Sequence, residues 1–143
     1  MSLTRLRRPL MAGLVALTAI CVAPTAFAGS YLDRAALLLD EARTEGDMLQ
    51  PRTTDKEMVL IVQMLTSARE KAGAKLEVPA AVAKAHPHLL LMLENYERAA
   101  DAASAGNFKD FMKYANTARD EDRAFRAIIT ELGYTLPEVR GRR

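Results

Sequence analysis

The chain has 143 residues, of which 50% are hydrophobic, 27% charged and 6% aromatic, with no Trp, a single Cys and a formal net charge of +2. That composition fits one small globular domain and excludes collagen-like, low-complexity, disulfide-stapled and intrinsically disordered chains. It singles out no activity by itself.

Residues 1–28 read as a cleavable export leader. Arg5, Arg7 and Arg8 make a positive start, Leu10 to Val22 is apolar, and Pro24-Thr25-Ala26-Phe27-Ala28 offers the small-x-small pattern that signal peptidase cuts after. The mature chain is then expected to begin at Gly29, in a periplasmic or secreted protein. The apolar run covers about 20 Å at about 1.5 Å per residue, short of a hydrocarbon core of about 30 Å. No stable membrane insertion is therefore expected after cleavage. Arg7-Arg8 leaves twin-arginine export open beside the general route. Cys21 follows Ile20, where lipid attachment favours a small residue, and it departs with the leader. The mature chain thus has no thiol, which excludes disulfides, thiolate metal sites and cysteine nucleophiles.

The leader also holds Arg5, Arg7 and Arg8 but no acid, so the chain's 20 basic and 18 acidic residues become nearly balanced once it is gone. A near-neutral surface gives no footprint for nucleic acid. Only Arg140, Arg142 and Arg143 cluster, in what reads as a flexible basic tail over residues 137–143.

Four amphipathic helices follow one another. Gly46, Gly73, Gly106 and Gly133 each stand where a glycine closes a helix. Ser30, Thr54 and Asn107, with Asp33, Glu57 and Asp110 three residues on, read as starts. The first helix, about Tyr31 to Glu45, aligns Leu32, Ala35 or Ala36, Leu39 and Ala42. The second, about Asp55 to Ala72, aligns Met58, Ile61, Leu65, Ala68 and Ala72. A short extra turn over residues 79–85 precedes the third helix, about Pro87 to Ala105, which aligns Leu89, Leu93, Tyr96, Ala100 and Ala103. The fourth, about Phe108 to Leu132, aligns Phe108, Phe111, Ala115, Ala118, Asp122, Phe125, Ile129 and Leu132. These steps of three and four are heptad seams, and no alternating β-branched run predicts a strand. Short connections make consecutive helices antiparallel, so the expected fold is all-α, an up-down-up-down four-helix bundle over residues 29–136.

Groups suited to catalysis are scarce, and no enzyme is expected. The only histidines, His86 and His88, flank Pro87 and belong to no nucleophile or His-Glu-x-x-His pattern. They are the metal candidates, for Zn or Cu, although a structural zinc needs about four ligands. Distance disfavours haem ligation by His and Met. In an antiparallel bundle the histidines sit at the end opposite Met48 and Met58, about 27 Å away along an 18-residue helix. No resident cofactor is expected.

Three groups of residues remain. Asp122 lies on an apolar seam and needs a partner, for which the hydroxyl of Tyr96 is the first choice, either as a register-fixing pair or as a ligand contact. Met48, Met58 and Phe111 gather at one bundle end, where they either close the core or line an apolar ligand pocket. Finally, Val59 and Leu60 on the second helix, and Leu90 and Leu91 on the third, belong to segments apolar around a full turn. A bundle hides one side of each helix, so the residue 76–85 connection, a second copy or a partner protein must cover the rest. The expected role is protein contact, including self-association; the alternative is a periplasmic carrier of a small ligand or metal, with Zn or Cu ahead of haem.

Overall fold

The computed structural model describes residues 23–139. The leader's arginines, its apolar run with Cys21, and the tail residues Arg140, Arg142 and Arg143 lie outside the described residues. The architecture is all-helical: α1 (Ala23–Leu49), α2 (Lys56–Ala74), α3 (His86–Ser104) and α4 (Phe108–Glu131), with single 3-10 turns at Gln50–Arg52 and Ala80–Val82. The four helices pack as a bundle, with no strand among the described residues.

The helix ends follow local chemistry. Asp55 caps α2 by accepting from the Met58 amide at 3.1 Å, one residue later than the expected Thr54, because its carboxylate reaches that amide from extended backbone. Asn107 caps α4 through the Asp110 amide, as its spacing predicts. Gly106 and Gly133 have φ of 73° and 81°. Each sits in a double-bonded helix terminus, with Asn107 donating to the Ala102 carbonyl and Tyr134 to that of Ile129.

Gly46 and Gly73 do something else. Gly46 lies inside α1, which begins at Ala23 rather than near Tyr31 and runs through Ser30 to Leu49. Its missing side chain makes room for an aromatic ring, since a Cβ there would lie 2.4 Å from Cε1 of Tyr96. Gly73 is likewise buried near the end of α2, and a Cβ there would meet Leu93 at 2.5 Å. These glycines allow close approach of helices instead of ending them.

The core is built around α3, which packs most extensively on α4, then on α2 and α1. One apolar cluster joins Leu32, Leu39, Leu89, Met92, Phe125 and Ile129, sealed by Val82 of the connection and by Tyr134 and Leu136 beyond α4. A second, at the opposite end, joins Leu49, Val59, Val62, Ala99, Phe111 and Ala115. The seams expected for α3 and for most of α4 are buried, but Phe108 and Leu132 at the ends of α4 are exposed.

For α2 the expected seam is the wrong one. The buried line is Val59, Val62, Thr66 and Gly73, whereas Ile61, Leu65, Ala68 and Ala72 face outward and Met58 is half-buried. Two apolar stripes compete on this helix. The stripe with the small residues wins because Gly73 lets α2 close on Leu90 and Leu93 of α3.

Candidate interaction surface and polar seam

The outward face of α2 carries the largest exposed apolar side chains of the bundle's flanks. Leu60, Ile61 and Met64 are 58%, 54% and 66% exposed, and Leu65 adjoins them. Glu57 and Lys71 stand exposed at the two ends of this face, seven residues on either side of Met64. A shallow depression of about 440 Å³ lined by Gln63, Met64, Ser67, Ala68 and Lys71 lies on the same face. The connection between α2 and α3 does not reach this surface, because Val82 and Ala85 pack into the cluster at the other side of the bundle.

The four residues singled out for partner contact therefore separate. Leu60 is outward on α2 and Val59 is buried against α3. Leu90 is half-buried beside Gly73, while Leu91 is 41% exposed and lies 100° further around α3, away from the α2 surface. Val59 is thus a core residue in this fold, and Leu60 and Leu91 do not form one patch.

The polar seam also departs from expectation. Asp122 is buried, but its carboxylate accepts from Nε of Arg126 at 2.7 Å, one turn along α4, instead of from Tyr96. An i, i+4 cation that reaches solvent satisfies Asp122 at the edge of the core, so no cross-helix partner is needed. The Tyr96 hydroxyl oxygen is left buried without a hydrogen-bond partner. Burial pushes its pKa up to about 12. The Arg119 guanidinium lies near enough to act on this oxygen electrostatically and as a donor outside good hydrogen-bond geometry, while it donates in good geometry to Asn116, Asp47 and Gln50, tying α4 to the end of α1. Tyr96→Phe is expected to stabilise the fold by about 1 kcal/mol, since an unsatisfied buried hydroxyl costs about 1–3 kcal/mol. Urea denaturation of the two proteins checks this, and a less stable Phe variant would mean that the oxygen has a partner after all.

His86 and His88 turn to different helices. Nδ1 of His86 and the Tyr31 hydroxyl share a hydrogen bond at 2.9 Å, and the two rings meet edge to face. Burial lowers the His86 pKa and pushes that of Tyr31 up to about 12, which favours the neutral form of both groups. His88 pairs with Glu121 of α4 at 2.7 Å. The acidic run splits the same way, with Asp120 on Arg123, Glu121 on His88 and Asp122 on Arg126. No group of three or more His, Cys, Asp or Glu side chains converges among the described residues.

At the other bundle end, Phe111 is fully buried, Met58 packs half-buried against the same cluster, and Met48 is exposed. The nearby depression of about 600 Å³ is lined by Thr53, Lys56, Val59, Leu60, Ala103 and Ser104, and by none of those three. Sequence reasoning missed the ionic clamp between α1 and α2. There Arg69 bonds Glu45 through Nε at 2.9 and 3.1 Å and also pairs with Glu41. Glu41 and Glu45, one turn apart beside the Ala42 position, were the legible signal.

No helix among the described residues is long and apolar enough to cross a membrane. No protein-family model, curated protein or solved structure matches the chain.

Proposed function

We propose that the chain is an exported, non-enzymatic helical bundle that acts through protein contacts made by the outward face of α2. The observation that carries this reading is the exposure of Leu60, Ile61 and Met64 on one continuous helical face. An exposed contiguous apolar surface costs solubility and usually marks a contact site. Other features support the rest of the reading. Tyr31 with His86 and Arg69 with Glu45 tie helices to one another, and Asp122 is held by Arg126 within α4. Cleavage after Ala28 takes residues 23–28 from α1, the buried Ala28 among them, and leaves the larger core side chains from Tyr31 onward in place.

Site-specific photocrosslinking in the exporting host tests both parts. With a photoreactive residue at Met64, a discrete adduct is expected on a chain whose N-terminus is Gly29. The same residue at Arg123, on the charged flank of α4, is expected to give none. Equal labelling from both positions, or none from Met64, would overturn the reading.

A further inference from the structure

We infer that the occupant of the α2 face is a second copy of this chain, its α2 lying antiparallel to the first about a twofold axis at Met64. This rests on the reading of α2 as a contact surface and adds the identity and register of the partner. Glu57 and Lys71 are equidistant from Met64 in sequence and lie on its side of the helix, about 10 Å to either side along the axis. Among the described residues neither forms an intramolecular salt bridge.

A twofold axis through Met64 sets Glu57 of each copy opposite Lys71 of the other, at both ends of the contact. A parallel pairing would set Glu57 on Glu57 and Lys71 on Lys71, which disfavours it. Shape follows the same symmetry. Leu60 is four residues before Met64 and Ala68 four after, so the large side chain of one copy meets the small one of the other, twice. Ala68 lines the shallow depression on this face, which is where Leu60 of the other copy would seat. Ile61, Leu65, Ala68 and Ala72 repeat at the heptad spacing of a helix pair, and the bundle itself leaves them outward beside Met64. One helix face is less than the roughly 800 Å² per partner of a stable complex, so the dimer is a weak one that forms with rising concentration.

Sedimentation equilibrium on the full chain over a range of concentrations provides the test, with circular dichroism confirming unchanged helix content. Glu57→Lys and Lys71→Glu each place like charges together at both ends, and each is expected to weaken the dimer about tenfold. The double variant is expected to restore it, because the ion pairs re-form with signs exchanged. Wild-type chain that stays monomeric, or a dimer indifferent to all three variants, would overturn the assignment. An adduct from Met64 to a different protein, with a monomeric chain, would also overturn it while leaving the wider reading of α2 as a contact face intact.

Discussion

Replacing Arg69 by alanine is expected to destabilise the bundle by about 3–5 kcal/mol, the cost of leaving a buried charge without its partner. Glu45 is only 7% exposed, and the Arg69 guanidinium is its partner, shared with Glu41. Truncation would strand the Glu45 carboxylate between α1 and α2, where water reaches it poorly. Arg69→Met combined with Glu45→Leu is expected to recover most of the loss, since it removes the buried charges and leaves only Glu41, which water reaches. Urea denaturation with an unchanged slope gives both numbers. A loss under about 1 kcal/mol for Arg69→Ala would place this pair with ordinary exposed ion pairs and sink the argument.

The second large effect is expected at Gly46. In an exposed helix interior, glycine to a larger residue gains up to about 1 kcal/mol of helix propensity. Here the sign reverses. A Cβ at residue 46 would lie 2.4 Å from Cε1 and 2.9 Å from Cδ1 of Tyr96, a ring that is 2% exposed and has no room to retreat. Gly46→Val is therefore expected to cost about 2–3 kcal/mol through overpacking. Combining it with Tyr96→Ala isolates the cause. The penalty for valine should largely vanish when the ring is gone, and strictly additive losses would show that the two positions are not coupled.

These two sites also show where the sequence could be read and where it could not. The number of helices, their order, and the buried lines of α3 and α4 followed from spacing, because α4 has one dominant apolar stripe and that of α3 continues beyond its all-apolar start as Tyr96, Ala100 and Ala103. On α2 two stripes compete, and hydrophobicity favoured Ile61 and Leu65, whereas packing favoured Val59, Val62, Thr66 and Gly73. A glycine between helices and a glycine against a ring look alike in a sequence. Gly106 and Gly133 were legible because a capping residue or a chain reversal followed closely, while Gly46 precedes further α-helix. Asp122 correctly called for a partner, but the choice between Tyr96 and Arg126 depends on how far helix α4 is rotated, which spacing alone leaves open by about a turn. The outward side of α2 was visible only as a run apolar on all sides, and its identity as a surface required knowing which side faced inward.

The central place of α3 bears on how the chain acquires its shape. The helix made first, α1, finds most of its apolar neighbours on segments made later: Val82, Leu89, Met92 and Phe125. The α3–α4 hairpin, by contrast, is joined by the few residues around Gly106 and holds the densest local packing, so it closes over a short loop with little entropy lost. The hairpin is therefore expected to close first, and α1 can bury its apolar line only once the later helices have been made.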